Sequence, residues 1–423
     1  MTSSGCNLRL QPAQTLAEEH VMLDPLEITV ADLEEDRYSR LRLIPWWDQS
    51  KLKNAKVMVV GAGALGNEVI KNLALVGVGN ILIIDMDIIE NSNLSRSVLF
   101  RAEDCGRLKA EVAAERAMEI NPDINVTWMN ADIVNDVGLG VFACMDVVIG
   151  GLDNREARLA INQSCWKVNV PWVDGAIEVL HGVARVFVPP DGACYECTMG
   201  EVDYRILNAR RSCTLLSKEE MISGKVPTTP TIASIIAGVQ VQEVLKLLHQ
   251  RDNLPPISGR GFVFNGLNFD CYLIEYQRKD ECPSHTTYQE LTAIDGDSCS
   301  TTLRDLLNRA VKDLGPGSQI DLEHQLIAAL ECPECETKEN ICKPLGRMSR
   351  TEILCPACGQ ERMPELVYSL DGSPGEEHIL DMTVRDAGLP LYDVFTARNG
   401  WSMTHYVLKG GLPLVFQNSE TCR

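Results

Sequence analysis

The 423-residue sequence lacks any run of about 18 uninterrupted apolar residues, the usual length of a membrane-spanning helix. Its first residues, MTSSGCNLRLQPAQ, also lack the basic-then-apolar order of a secretion signal. Cations are scarce, because 39 lysines and arginines face 59 aspartates and glutamates and the formal net charge is -20. Such a chain repels nucleic-acid phosphates. We therefore expect a cytoplasmic protein whose partners are proteins, with no nucleic acid and no membrane.

Cysteine, by contrast, is abundant, with sixteen in the chain. Without a secretion signal, this number indicates metal sites, catalysis or reduced thiols rather than disulfides. Two C-x2-C pairs, Cys332/Cys335 and Cys355/Cys358, are separated by 19 residues, which matches a four-cysteine zinc ribbon. Cys342 lies between the pairs and is expected to be a bystander. The two pairs predict a structural zinc site.

Two more distant pairs predict a second zinc site. Cys194 and Cys197 form a C-x2-C pair, and after 84 intervening residues Cys282 and His285 form a C-x2-H pair. Three thiolates and one imidazole can complete a closed tetrahedral site, which is the structural kind. The long separation leaves open the alternative that these residues are ordinary buried thiols.

Short apolar runs alternate with helical stretches over the first part of the chain. The runs are KVMVV, ILIIDMD and MDVVIGG, and the intervening helices are predicted at 67–75 and 109–120. This alternation predicts an α/β fold with a doubly wound, mainly parallel sheet. A strand at 182–189, a long helix at 231–249 and a strand pair around an Asn-Gly turn at 261–277 follow.

Composition divides the chain into four segments. Residues 1–35 are acidic and weakly periodic and form an N-terminal extension, and residues 36–290 hold the α/β domain. Gly, Asp and Ser punctuation near residue 290 marks a boundary. We predict a helix and the zinc ribbon at 291–360, followed at 361–423 by a small α+β unit whose pattern also suits a β-grasp fold.

The segment VGAGALG predicts a nucleotide site. Gly61, Gly63 and Gly66 form G-x-G-x-x-G between a strand and a helix, and Asp85 follows the next strand. Glycines let the backbone approach phosphates at the positive end of a helix, and a carboxylate can hold a ribose hydroxyl. The pattern alone suits NAD, FAD or ATP, and it also occurs as a tight structural turn.

Four further polar residues favour ATP. Successive strand ends or helix starts of the predicted sheet carry Asn93, Arg96, Lys109 and Asp153. Two cations can neutralise a triphosphate and a carboxylate can hold Mg²⁺, whereas hydride transfer needs neither. A lone arginine or lysine is usually a solvated surface charge, so the prediction depends on the whole set.

These residues also carry a resemblance to a known family. The string VMVVGAGALGNEVIKNLALVGVGNILIIDMDIIENSNLSRSVLF, with DRYSR upstream and GGLDN downstream, resembles the ThiF/MoeB family and the ubiquitin-activating enzymes over about residues 36–290. The resemblance implies a Rossmann-like, ATP-binding adenylation domain. It implies phosphate contacts for Gly61, Gly63 and Gly66, ribose binding for Asp85, triphosphate contacts for Asn93, Arg96 and Lys109, and a Mg²⁺ ligand in Asp153.

The resemblance also bears on Arg40 and His285. In the family, the second arginine of the DRYSR-like segment reaches across a homodimer into the partner's ATP site, which here would be Arg40; the alternative is an arginine on a helix surface. Family members place two C-x2-C pairs where this chain has its first zinc pattern, so His285 departs from the family.

Cys213, in the sequence RRSCTLL, is the candidate nucleophile. Arg210 and Arg211 lie three and two residues before it, and neighbouring cations favour the reactive thiolate. Ubiquitin-activating-type members have Cys-Thr-Ile/Leu at this place, so the resemblance implies that Cys213 carries a thioester. The alternative is a buried, inert thiol, which is what we expect of four other cysteines: Cys105, Cys144, Cys165 and Cys271.

Together, these patterns predict ATP-dependent adenylation of the C-terminal carboxylate of a ubiquitin-like protein, thioester formation on Cys213 and transfer to a conjugating enzyme. Within the family, the alternative is adenylation of a sulfur-carrier protein for cofactor sulfur transfer. From another class, the alternative is a nucleotide-binding scaffold that recruits partners through its zinc ribbon. A scaffold could lose any of the predicted ATP-site residues, so the presence of the complete set argues against it. The set is Asp85, Arg96, Lys109 and Asp153.

Overall fold

The structure of the protein, a computed structural model, describes residues 36–205, 227–390 and 392–410. The described residues belong to two units, 36–47 and 48–410. In the first unit, a 3-10 helix spans Leu41–Leu43, and Asp36 and Arg42 form an ion pair of 2.6 Å. The strands and α-helices named below belong to the second unit.

The larger sheet of the second unit has eight strands. They are β1 (Lys56–Val60), β2 (Asn80–Ile84), β3 (Asn125–Met129), β4 (Val147–Gly150), β5 (Trp172–Glu178), β6 (His181–Phe187), β7 (Arg260–Asn265) and β8 (Asp270–Glu275). Their order is β3-β2-β1-β4-β5-β6-β7-β8. The pairs from β3 to β5 are parallel, and those from β5 to β8 are antiparallel.

The helices beside this sheet with both ends in the described residues are α1 (Gln49–Asn54), α2 (Ala64–Val76), α3 (Lys109–Ile120), α4 (Leu139–Ala143), α5 (Arg155–Lys167) and α6 (Pro230–His249). Strands β1, β2 and β4 are almost entirely buried. Their Val- and Ile-rich runs suit parallel strands that are covered on both faces. The predicted α/β fold with a large, mainly parallel sheet is confirmed.

Helix α6 is long and apolar enough to cross a membrane by length and composition. In the structure it packs against α2, β5 and β6, and ten of its 20 residues are buried. On its buried side, Gln240 Nε2 donates to the carbonyl oxygens of Gly150 at 2.9 Å and Val173 at 3.2 Å. Packing against the sheet therefore accounts for the apolar character of α6.

The smaller sheet has six strands: β9 (Leu291–Ile294), β10 (Gln319–Cys332), β11 (Thr337–Pro344), β12 (Met363–Leu370), β13 (Val394–Asn399) and β14 (Ser402–Leu408). Its order is β11-β10-β13-β14-β9, and β12 also pairs with β10. Helix α7 (Leu303–Leu314) shares a core with this sheet, and the short helices are α8 (Arg350–Ile353) and α9 (Glu377–Leu380).

The predicted boundary between residues 360 and 361 cuts through the smaller sheet and is wrong. Strand β12 pairs with β10, β13 also pairs with β10, and β14 pairs with β9. The described part of 361–423 therefore depends on strands from 291–360 and is not a separate β-grasp unit. The change in local composition could not reveal these pairings, because they join residues up to 114 positions apart.

Candidate active site

The glycine loop lies between β1 and α2. Gly61 has φ of +93°, and a Cβ there would lie 2.6 Å from the Gly151 carbonyl oxygen. A Cβ on Gly66 would lie 1.8 Å from the Gly61 carbonyl oxygen, whereas a Cβ on Gly63 would meet no atom within 4 Å. Packing thus requires glycine at positions 61 and 66. Gly63, in contrast, borders open space at the start of α2, where phosphate groups can bind.

The ends of three adjacent strands lie at the same level of the sheet. Val60 of β1 is paired with Ile84 of β2 and with Gly150 of β4. Gly61 N donates to the Ile84 carbonyl oxygen at 2.8 Å, and Gly151 N donates to the Val60 carbonyl oxygen at 2.9 Å. The chain order reverses between β1 and β4, and such a switch point forms a ligand crevice in open α/β sheets.

Asp85 is the first residue after β2. Its Oδ2 accepts from Ala62 N at 2.7 Å, and its Oδ1 accepts from Asp87 N at 2.8 Å. Burial raises the pKa of the Asp85 carboxyl, and the charge of Lys109 opposes that rise. The carboxylate is thereby held against the glycine loop, where it can accept from a ribose hydroxyl.

Lys109 is the first residue of α3 and reaches the same strand end. Its Nζ forms an ion pair with Asp87 Oδ2 at 2.7 Å, and its backbone N donates to the Asp87 carbonyl oxygen at 3.0 Å. The sequence analysis missed Asp87, although it stands two residues after Asp85 in the same DMD string. The structure thus brings Asp85 and Lys109 together.

Asn93 and Arg96 lie in the connection between β2 and α3. Asn93 is buried at the end of a 3-10 helix (Asn91–Asn93), and its Oδ1 accepts from Glu90 N at 2.9 Å. Arg96 is partly buried, and its Nη1 donates to the Ser92 carbonyl oxygen at 2.6 Å. Both side chains thus make local contacts within this turn.

Asn67, on α2, connects the same turn region with the glycine loop, and the sequence analysis missed it. Its Nδ2 donates to the Ala62 carbonyl oxygen at 2.6 Å, and its Oδ1 accepts from Leu99 N at 2.9 Å. The side chain is fully buried. An asparagine directly after a glycine motif gives no sequence signal for this role.

Asp153 lies beyond the end of β4, at the crevice between β4 and β1. Its side chain is exposed, and Asn154 Nδ2 is 3.4 Å from Asp153 Oδ1. Asn154 is the N-cap of α5, where its Oδ1 accepts from Ala157 N at 2.8 Å. An exposed carboxylate is the type of ligand that Mg²⁺ prefers, so Asp153 fits the predicted metal role.

The first cysteine cluster brings its four predicted residues together. Sγ of Cys194 is 3.7 Å from Sγ of Cys197 and 3.5 Å from Sγ of Cys282, and Cys197 Sγ is 3.4 Å from His285 Nε2. Tetrahedral zinc with bonds of about 2.3 Å places sulfurs about 3.8 Å apart. The donor set and its spacing therefore fit zinc, with His285 in the fourth position.

The second cluster is formed by the predicted ribbon cysteines. Sγ of Cys332 is 3.5 Å from Sγ of Cys358, and Sγ of Cys355 is 4.0 Å from Sγ of Cys335. All four thiols lie within 4.8 Å of one another and could hold one metal ion. Cys342 is not in the cluster, and burial raises its pKa to about 11.

Of the remaining predicted residues, the structure describes Arg40 and four cysteines but not the candidate nucleophile. Cys213 lies outside the described residues. Arg40 is exposed in the first unit. The expectation of burial holds for Cys144 and Cys165, but Cys105 and Cys271 are exposed, so that part of the prediction is wrong. Cys271 lies on β8, the last strand in the order of the larger sheet, where five of the six residues are exposed.

Comparisons with known proteins agree with this geometry. The model of the ThiF family matches residues 36–284. The SAMP-activating enzyme E1 of Haloferax volcanii is 33% identical over 257 residues, which cover 59% of this chain and 87% of that protein. The sulfur carrier protein adenylyltransferase of Thermus thermophilus is 31% identical over 258 residues, or 59% of this chain and 90% of that protein.

Among solved structures, E. coli MccB with ATP has a TM-score of 0.50 and 26% sequence identity, covering 60% of this chain and 75% of that chain. The relatives are E1-like adenylating enzymes, and their names include a ubiquitin-like modifier-activating enzyme of Dictyostelium discoideum as well as the sulfur carrier protein adenylyltransferase. The resemblance that the sequence suggested is therefore confirmed, and the chain belongs to the ThiF family.

Proposed function

We propose that this chain uses ATP to adenylate the C-terminal carboxylate of a ubiquitin-like protein, captures that protein as a thioester on Cys213 and passes it to a conjugating enzyme. The observation that carries the adenylation step is the convergence of the glycine loop, Asp85, Lys109 and Asp153 at the ends of β1, β2 and β4. The names of the relatives support the same reaction class.

Each residue at the crevice would bind a different part of ATP or its metal ion. The backbone around Gly63 would accept the phosphates at the start of α2, and Asp85 would accept from the ribose. Lys109 would exchange its ion pair with Asp87 for one with the triphosphate, and Asn93 and Arg96 would add contacts from the neighbouring turn. Asp153 would hold Mg²⁺, which when bound neutralises phosphate charge.

In the first half-reaction, a carboxylate oxygen of the carrier attacks the α-phosphorus of ATP. The bond from that phosphorus to the oxygen bridging to the β-phosphate breaks, and pyrophosphate leaves with the electron pair. The attacking carboxylate is already ionised near neutral pH, so no side-chain base is required. Catalysis here consists of positioning and of cations that match the growing negative charge.

In the second half-reaction, the Cys213 thiolate attacks the acyl carbon, and AMP leaves with the electron pair of the broken C–O bond. Cys213→Ala should keep carrier-dependent exchange of pyrophosphate into ATP but abolish a carrier adduct that reductant and hydroxylamine both cleave. Cys271→Ala, which removes an exposed thiol on β8, is the matched control. An adduct that persists in Cys213→Ala would assign the acceptor role to another cysteine.

Sulfur transfer is the second candidate, because one relative is named a sulfur carrier protein adenylyltransferase. In that case the chain would release an acyl-adenylate for sulfur transfer. Wild-type protein would then exchange pyrophosphate without forming a hydroxylamine-sensitive adduct. A scaffold without catalysis would show neither exchange nor adduct.

A homodimer in the cytoplasm is the proposed assembly, with Arg40 acting in the partner's ATP site. Mixing Arg40→Ala chains with Asp153→Ala chains would test this, because each mixed dimer would contain one intact site. With random exchange of subunits, half the dimers are mixed, so exchange should recover to about a quarter of the wild-type rate. No recovery after subunits have exchanged would contradict an action of Arg40 across the dimer.

A further inference from the structure

A buried ion cluster contacts the loop that carries Asp153. Arg158, on α5, has a side chain that is only 9% exposed, and its Nε is 2.9 Å from Asp174 Oδ1. Its Nη2 donates to two carbonyl oxygens, those of Leu152 and, at 3.0 Å, Gly175. One guanidinium thus joins the start of α5, the strand β5 and the loop before Asp153.

Asp174 anchors this guanidinium. Its side chain is fully buried, and its Oδ2 is 2.7 Å from Arg185 Nη2 on β6. Burial alone would lower the pKa of Arg158, but the charge of Asp174 raises it above its ordinary value. Buried ion pairs often add little stability compared with apolar residues, so a cluster of this kind is better explained by the geometry that it imposes.

The backbone is held on both sides of Asp153, while the Asp153 side chain is exposed. Before it, the Leu152 carbonyl oxygen accepts from Arg158, and Gly151 N donates to the Val60 carbonyl oxygen. After it, Asn154 caps α5. A carboxylate between two fixed backbone positions needs little reordering to meet a metal-nucleotide complex.

We infer that Arg158, anchored by Asp174, is a positioning residue that sets the Asp153 carboxylate for the magnesium–ATP complex. The inference rests on the proposed function, because it assigns Asp153 to the metal. Arg158 acts only through the Leu152 carbonyl oxygen and makes no contact of its own with the nucleotide.

Calorimetric titration of the full chain with ATP, with and without Mg²⁺, tests the inference without measuring turnover. Arg158→Lys retains the charge beside Asp174, but its single ammonium nitrogen cannot stand in for both Nε and Nη2, which donate in different directions to Asp174 and to the two carbonyl oxygens. We expect it to weaken binding of magnesium–ATP by about 10-fold, as changes to groups that orient metal ligands do, and to leave metal-free ATP binding unchanged. Arg155→Lys is the matched control, because Arg155 is on the same turn of α5 but pairs with Asp203 at 3.0 Å.

A double variant separates the possible results. If Arg158 acts through Asp153, adding Arg158→Lys to Asp153→Ala should cause no further loss. An additional loss, or an equal loss with and without Mg²⁺, would overturn the inference, as would an unchanged affinity in Arg158→Lys. If Asp153→Ala itself leaves the magnesium-dependent gain intact, the metal assignment in the proposed function fails first.

Thermal melting of each variant checks that the fold survives. Should Arg158→Lys fail to fold, Asp174→Asn provides a milder test, since it keeps an acceptor for Arg158 Nε and removes only the charge. It should shift magnesium–ATP binding in the same direction by a smaller factor. A folded Asp174→Asn protein with unchanged magnesium–ATP affinity would contradict the anchoring role.

Discussion

The two sheets of the second unit differ in where their chemistry lies. In the larger sheet, the parallel strands β1, β2 and β4 are buried, and the polar side chains that could act on ATP follow the strand ends. In the smaller sheet, charged residues of different strands pair with one another at the surface, such as Lys338 with Glu365 and Arg398 with Asp321. Parallel strands thus collect side chains at one edge, whereas the mainly antiparallel sheet spreads them out.

The largest expected effect is at Asp153. Asp153→Ala should reduce carrier-dependent exchange of pyrophosphate into ATP to below detection, because the metal would lose its carboxylate ligand. The control is Asp381→Ala, which removes an exposed carboxylate of the smaller sheet region and should leave exchange unchanged. Near-normal exchange in Asp153→Ala would remove this residue from the site and weaken the contrast between the sheets.

The two cations of the crevice should have the next largest effect. Lys109→Ala and Arg96→Ala should each lower the same exchange rate by roughly 10²–10³-fold, since each would remove one charge-assisted contact from the transition state. Arg309→Ala, in α7, is the control. A loss confined to Lys109→Ala would leave Arg96 as a residue of the turn alone, consistent with its contact to Ser92.

The cysteine clusters sharpen the comparison, because each sheet region has one. Metal analysis should find two zinc ions in the wild type and one after either Cys194→Ser or Cys355→Ser. Cys194 is fully buried in the core of the larger sheet, so its loss should lower the melting temperature by about 10 °C, for a cost on the order of 4 kcal/mol.

Cys355→Ser, in contrast, should leave exchange measurable and destabilise the ribbon and its partner binding, because metal supplies folding energy to such small units. Equal losses of exchange in the two variants would show that the ribbon supports the ATP site. Retention of two zinc ions in Cys194→Ser would exclude the cluster with His285.

Local patterns in the sequence could predict the parts of the fold that are local. The glycine loop, Asp85 and Asp153 follow apolar runs that mark the ends of β1, β2 and β4, so their proximity could be inferred before the structure. The pairing of β12 with β10 could not, since nothing in either strand specifies its partner. The Arg158–Asp174 pair also could not be predicted. An arginine within a predicted helix usually lies on a solvated surface, and nothing in the sequence indicates that this one pairs with a buried aspartate.

The smallest expected effect concerns the contacts between the two sheet regions. Nδ1 of His324, on β10, is 3.2 Å from Asp393 Oδ2. Nε2 of the same ring is 3.2 Å from the carbonyl oxygen of Val134, in the segment after β3. Burial alone would lower the pKa of His324, but the hydrogen bond and charge of Asp393 raise it above its ordinary value. Lys167 and Glu323 form an ion pair in the same contact region.

A histidine whose pKa is raised by folding stabilises the folded state most at pH values below the pKa that it has in the unfolded chain, about 6.5. This stabilisation is lost as the pH rises through the pKa of the folded state. His324→Gln should therefore cost about 0.2–1 kcal/mol near pH 6 and less near pH 8, measured by urea unfolding. Burial lowers the pKa of the nearby His405, which acts in the opposite direction, so the quantity to compare is the difference between variant and wild type. A difference that is the same at both pH values would show that His324 is neutral in the folded protein and forms no ion pair with Asp393.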